Sequence, residues 1–181
     1  MDLISADRLQ VVQNAYVVRD LDESIERWYK AFGLGPFIVT RHLRFARCVY
    51  RGETTDLDMS AAFAQSGDLQ IELICQHDAG PSAFRDMFGG GQEGLHHIAV
   101  FPDDHGRVVR AYRNRGFPVA MELQVKEGLG AVFIDTRELT GHMLEVYRDN
   151  GSFRTFYTMV ADAARHWDGH ALKIELDAVS P

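Results

Sequence analysis

From residue 10 to 18 the chain reads Gln-Val-Val-Gln-Asn-Ala-Tyr-Val-Val, a run rich in β-branched and aromatic residues that predicts a strand. The rhythm then changes. Leu21, Ile25, Trp28, Tyr29 and Phe32 recur at the spacing of one helix face. Asp20 stands at the N-cap position with Glu23 three residues on, and Gly33, Gly35 and Pro36 end the helix. Strand-like runs follow at 37–43, at 46–64 with a break near Gly52, and at 69–76. Gln65-Ser66-Gly67-Asp68 supplies a hairpin turn between the last two.

A loop with Gly80, Pro81 and Gly89-Gly90-Gly91 comes next, with a short helical turn around 82–88, and the order then repeats. Residues 95–101 read as a strand. Asp103 or Asp104 caps a helix through Val108, Val109 and Tyr112, which Gly116 ends, and strands are expected near 117–124, 129–135 and 142–148. Strand–helix–three strands thus occurs twice, which predicts an α+β fold of two βαβββ modules. The expected division is 10–76 for the first module, 77–94 for a connector, 95–148 for the second module and 149–181 for a C-terminal helix and tail. The amphipathic stretch 152–167 either caps a pocket, packs outside or sits at a dimer contact.

Aligning the repeats sets Gln13-Asn14-Ala15-Tyr16 over His97-Ile98-Ala99-Val100, with Asp20 over Asp104. It also sets Ile71-Glu72-Leu73-Ile74 over Leu144-Glu145-Val146-Tyr147. Four side chains able to bind a metal fall on matched positions: Gln13 and His97 on the first strands, Glu72 and Glu145 on the last. A carboxylate in the middle of an apolar strand is costly to bury unpaired. Its recurrence at the equivalent place suggests one shared partner, and a divalent cation fits: two carboxylates balance its charge, and an imidazole and an amide complete four ligands. Strand alternation puts Leu95, His97, Ala99 and Phe101 on one face and His96, Ile98 and Val100 on the other, so His96 is expected to point away from the site. His42 and His77 have no repeat counterpart and are read as surface or supporting residues; Arg41 and Arg47 are read as solvated or as holders of an anionic substrate.

Composition narrows the function. Of 181 residues 46% are hydrophobic and 25% charged, ordinary for a globular chain, and the formal net charge is −7. That balance, with no basic run, argues against a nucleic-acid partner. No apolar run approaches the ~18 residues of a membrane span. The stretch Met1 to Leu9 carries Asp2, Asp7 and Arg8 and lacks the pattern of a signal peptide, so a cytoplasmic location is expected. Cys48 and Cys75 lie far apart, outside any CxxC spacing, and are read as reduced thiols.

Asn14-Ala15-Tyr16-Val17-Val18-Arg19-Asp20-Leu21-Asp22, Gly33-Leu34-Gly35-Pro36-Phe37, Gln70-Ile71-Glu72-Leu73-Ile74 and Gly94-Leu95-His96-His97-Ile98-Ala99 resemble the vicinal oxygen chelate superfamily, the group of glyoxalase I, methylmalonyl-CoA epimerase, extradiol dioxygenases and bleomycin-resistance proteins. The resemblance implies a curved, cupped mixed sheet with helices on its outer face and a metal held by Gln13, Glu72, His97 and Glu145. The order Gln, Glu, His, Glu is similar to glyoxalase I, whereas the Gly-Pro-Phe after the first helix is similar to the epimerase branch. The implied activity is that of a metal-dependent isomerase or lyase, moving a proton next to the carbonyl of a small carbonyl compound or thioester through a metal-stabilised enolate. Glu145 is the first choice of base and Glu72 the second. One divalent ion (Zn, Ni, Co, Mn or Mg) is implied, together with a homodimer. A single histidine at the ligand positions disfavours a ring-cleaving dioxygenase, which needs two histidines and a carboxylate. The competing reading is a non-catalytic protein that sequesters a small apolar or aromatic molecule, as bleomycin-resistance proteins do.

Overall fold

The structure, a computed structural model, describes residues 9–176. Residues 1–8, read above for a leader, and 177–181 of the tail lie outside the described residues. The first half of the chain forms β1 (Val11–Val17), α1 (Leu21–Phe32), β2 (Phe37–Thr40), β3 (Arg47–Tyr50), β4 (Glu53–Thr54), β5 (Met59–Ser66) and β6 (Leu69–Gln76). The short helix α2 (Ala83–Met87) follows. The second half forms β7 (Gly94–Val100), α3 (His105–Asn114), β8 (Val119–Lys126), β9 (Leu129–Ile134), α4 (Arg137–Thr140) and β10 (Met143–Arg148). Helix α5 (Ser152–Arg165) and strand β11 (Lys173–Leu176) end the described chain.

Local chemistry sets the helix ends. The Asp20 carboxylate accepts from the Glu23 backbone N–H at 2.8 Å, and the Asp104 carboxylate accepts from the Arg107 N–H at 2.8 Å. Gly33 closes α1 in the left-handed conformation at φ 68°, where its N–H reaches the Tyr29 carbonyl.

Among the described residues, all eleven strands join one curved, unclosed mixed sheet in the order β11-β2-β5-β6-β1-β7-β10-β9-β8-β3-β4. Within it, β1-β6-β5-β2 and β7-β10-β9-β8 have the same internal order, and the antiparallel pair β1 and β7 joins them within a single chain. The register is symmetric about the Asn14–Ile98 pair: Gln13 lies opposite Ala99 and Ala15 opposite His97. Likewise Ala15 pairs with Glu72 and Ala99 with Glu145. Gln13 is therefore the counterpart of His97, and Glu72 of Glu145, in space as well as in sequence.

The inner face draws on both halves, burying Ala15, Ile74, Ala99, Met121 and Phe133 in one cluster. Separate outer cores lie under α1, around Ile25 and Leu73, and under α3, around Val108 and Val146. Burying a large apolar side chain of this kind contributes roughly 1.5–3 kcal/mol, so the sheet is held from both sides.

The stretch 46–64 departs from its expected single interrupted strand. Arg51 (φ 46°) and Gly52 (φ 94°) make a two-residue turn between Tyr50 and Glu53, with both residues at positive φ. The resulting hairpin leaves the first half and adds β3 to β8 of the second, with Cys48 opposite Leu123. β2 also stops at Thr40, short of 43, because His42 turns the chain at φ 48°. The unanticipated β11 pairs in parallel with β2 on the opposite margin of the sheet. Helix α5 packs over the inner face, so of its three expected placements the structure shows the pocket cap.

Candidate metal centre

Glu72 sits in the middle of β6, Glu145 in the middle of β10 and His97 on β7. Strand alternation turns all three to the inner face, where their exposures are 7%, 5% and 1%. His97 Nε2 is 3.1 Å from Glu145 Oε2 and 3.6 Å from Glu72 Oε2, and one ligand atom from each residue lies within 4.8 Å of the others. Burial, and then the neighbouring Glu145 charge, push the Glu72 carboxyl well above the usual carboxylate range.

Gln13 is fully buried on the same face, but its amide is engaged by other groups. Its nitrogen donates to Gln70 Oε1 at 2.7 Å, and its oxygen accepts from the Tyr147 hydroxyl at 3.0 Å. Tyr157 in turn donates to the Tyr147 oxygen at 3.3 Å. The Gln13 oxygen keeps one lone pair beyond the Tyr147 bond.

His96 overturns the alternation reading. The β1–β7 register slips between Ala15–His97 and Tyr16–Leu95, leaving His96 as the extra residue of a bulge. Its ring stays inside, 4.9 Å from Phe84 and 5.1 Å from His97 by ring centroids. His96 Nε2 lies 2.9 Å from the Ala83 carbonyl, which only accepts, so Nε2 carries a proton. Burial, then the adjacent His97, hold the His96 pKa well below its ordinary value, so the ring is neutral and its Nδ1 accepts. The donor to that Nδ1 is His97 Nδ1–H, 2.8 Å away. With Nδ1 engaged by His96, His97 presents Nε2 to the two carboxylates.

This chain of hydrogen bonds decides whether the residues fit a metal. His97 Nε2 and Glu145 Oε2 are buried with no other hydrogen-bond partner, and each is an acceptor when unprotonated. Two such acceptors face each other stably only with a cation or a proton between them. Two carboxylates and a neutral imidazole, with Gln13 adjacent, form a donor set for a divalent ion, and the His96 bond to the remote imidazole nitrogen is the outer support that metal-binding histidines usually have.

The three residues lie at one wall of a cavity of about 300 Å³. Phe63, Phe84, Phe133, Phe153, Phe156 and Tyr157 supply much of its aromatic lining, and Phe156 stacks edge-on against Phe63 at 4.8 Å. Arg44 and Lys126 border it. Arg41 is absent from the lining; its guanidinium bonds Asp22 at 2.9 Å and Glu175 at 2.8 Å, tying α1 to β11. Arg47 is exposed on β3 and also outside the lining. Sequence reasoning left His96 out of the site and made no chemical assignment to Tyr147 beyond its place in the aligned strand. A paired His-His beside a repeat-matched ligand was the available signal for the first, and no local signal marked the second.

The sequence profile of the Glyoxalase/Bleomycin resistance protein/Dioxygenase superfamily matches residues 12–133. The chain belongs to that superfamily. The superfamily's vicinal oxygen chelate fold also appears in solved structures. A hypothetical protein from Bacillus halodurans is 16% identical, with a TM-score of 0.55 over 78% of this chain and 95% of that one. The methylmalonyl-CoA epimerase from Mycobacterium tuberculosis is 15% identical, with a TM-score of 0.49 over 80% of this chain and 91% of that one. No curated protein matches the chain in sequence. The superfamily typically binds a divalent metal, and Glu72, His97 and Glu145 are a candidate ligand group for one. Among the described residues no helix is long and apolar enough to cross a membrane.

Proposed function

We propose that this superfamily member is a metal-dependent isomerase or lyase that moves a proton next to the carbonyl of a small carbonyl compound or thioester. The observation that supports it is the opposed pair of buried polar atoms, His97 Nε2 and Glu145 Oε2, with Glu72 beside them at the wall of a largely apolar cavity. Glu72, His97 and Glu145 would hold the ion, with Gln13 as fourth ligand. When bound, the ion supplies Lewis-acid polarisation of a substrate oxygen and stabilises negative charge that develops next to it.

The residues of the chain do the remaining work. Phe63, Phe133 and Phe156 grip an apolar substrate body, and α5 closes over it to exclude water. Arg44 and Lys126 at the border suit a substrate with a negatively charged end. Glu145, whose Oε2 is free of hydrogen bonds, takes the proton as general base, with Glu72 as the second choice.

The test starts with metal analysis of protein purified without chelators, where one divalent ion per centre is expected. Loss of the α-proton signal in D2O is then followed by NMR for a panel of α-protonated carbonyl compounds and thioesters. Glu145→Gln should abolish exchange with the fold intact; full exchange in that variant rejects the base assignment. The largely apolar lining also suits sequestration of an aromatic molecule. Metal-free protein that binds an aromatic ligand tightly and exchanges no proton in the panel would favour that reading.

A further inference from the structure

β2, β5 and β6 lie side by side, and at one end of them three side chains distant in sequence come together. His42 follows β2, Asp58 precedes β5 and His77 follows β6, and one ligand atom of each lies within 4.8 Å of the others. None of them lines the cavity. The backbone pins the arrangement: the His77 N–H donates to the Asp58 carbonyl at 2.8 Å, and the Leu43 N–H to the Met59 carbonyl at 2.8 Å. His42 itself is held in the left-handed region at φ 48°, a conformation that disfavours side-chain-bearing residues and often marks functional positions.

The side chains are oriented as well as gathered. His42 Nδ1 is 2.7 Å from Asp58 Oδ1, and the two imidazole rings lie 4.6 Å apart at 33°. Ser60, fully buried, accepts the His42 backbone N–H at 3.0 Å, and its Oγ is 2.7 Å from His77 Nε2. In the tautomer that donates Nε2–H to Ser60 Oγ, His77 Nδ1 is a free donor atom for an ion. A ligand imidazole fixed through its remote nitrogen by a buried hydroxyl repeats the pattern of support already seen for His97.

We propose that His42, Asp58 and His77 form a second metal site, separate from the cavity, for a first-row divalent ion such as Zn2+, Co2+ or Ni2+. Two imidazoles and one carboxylate match the ligand preference of these ions and not that of Mg2+ or Ca2+, which favour all-oxygen shells. Bonds of about 2.1 Å to a common ion place ligand atoms roughly 3.4 to 4.2 Å apart, so small rotations of half-exposed side chains close the set. The ion takes the place of the proton between His42 and Asp58, and the solvent side leaves a coordination position open.

The experiment is a titration of the intact protein with ZnCl2 alone, followed by calorimetry and by 15N-detected imidazole resonances, with His42 and His77 assigned through His42→Ala and His77→Ala. Zinc should shift both resonances, and each alanine variant should lose one equivalent of bound zinc while retaining native circular dichroism. Ser60→Ala should weaken this equivalent by roughly 10–100-fold. The imidazole readout is independent of the cavity centre, whose ligands are different residues. The same number of zinc equivalents in wild type and in the His42→Ala/His77→Ala double variant, or His42 and His77 signals unmoved by millimolar zinc, overturns the proposal.

Discussion

His97 Nε2 and Glu145 Oε2 stand 3.1 Å apart, both buried, and neither makes a hydrogen bond. The Ala83 carbonyl orients the His96 ring, His96 engages Nδ1 of His97, and Nε2 of His97 is thereby turned to the two carboxylates. The short connector helix that carries Ala83 and Phe84 is thereby part of the centre although it contributes no ligand.

Metal-free protein should lose stability as pH rises. Glu72 has its folded pKa raised by burial and by Glu145, so its contribution is fully present below the unfolded carboxylate value of about 4.3. It fades as pH climbs from there toward the raised folded value, because only the unfolded chain gains from ionising. A divalent ion reverses the trend, since it favours the ionised carboxylate. Melting curves of chelated protein should fall between acidic and neutral pH, and binding should tighten with pH and release protons, as calorimetry in two buffers of different ionisation heat would read.

His96→Ala removes the acceptor that holds the His97 Nδ1 proton. Affinity for the ion should fall by roughly 10–100-fold, measured by competition with a coloured chelator. His96→Ala also leaves the Ala83 carbonyl without its partner and opens a void beside Phe84 and Phe133, so stability should drop by about 2–4 kcal/mol.

Gly130→Ala should be among the most damaging small substitutions. A Cβ there would collide with the Leu123 carbonyl oxygen and stand 3.2 Å from Gln124 Cα, both backbone atoms of the neighbouring strand. Relief requires parting β8 from β9 beside the cavity. A loss of about 2–3 kcal/mol is expected, visible as a melting point lowered by roughly 5–10 °C.

Arg51 separates two effects. Its guanidinium bridges Asp86 and Asp135, and Arg137, then Arg51, hold the Asp135 carboxyl down at about 2. Its backbone, meanwhile, sits at φ 46°. Arg51→Ala loses the bridge and keeps the strain, whereas Arg51→Gly loses the bridge and relieves the strain. Denaturant unfolding should find the glycine variant more stable than the alanine one by about 1 kcal/mol.

The local pattern carried much of the architecture because periodicity and caps are short-range signals. Asp20 and Asp104 bond where capping chemistry requires, and the repeat that aligned Glu72 with Glu145 survives as matched pairing to Ala15 and Ala99. What escaped was long-range. Nothing near Arg47–Tyr50 announces that its partner is Glu122 and its neighbours, some seventy residues on. Strict alternation sent His96 to the wrong face because a bulge depends on the opposing strand. The Gln13 amide points to the same limit: its bonds to Gln70 and Tyr147 belong to three strands at once.

The two margins of the sheet carry a consequence for how the chain behaves as a whole. The outer strand of the second half, β8, is covered by β3 from the first half, while the outer strand of the first, β2, is covered by β11 from beyond the second. Each half thus shields the other's exposed rim from pairing with foreign strands. A cut between the two halves would strip β3 from β8 and β11 from β2 at one stroke, leaving an open rim on each fragment.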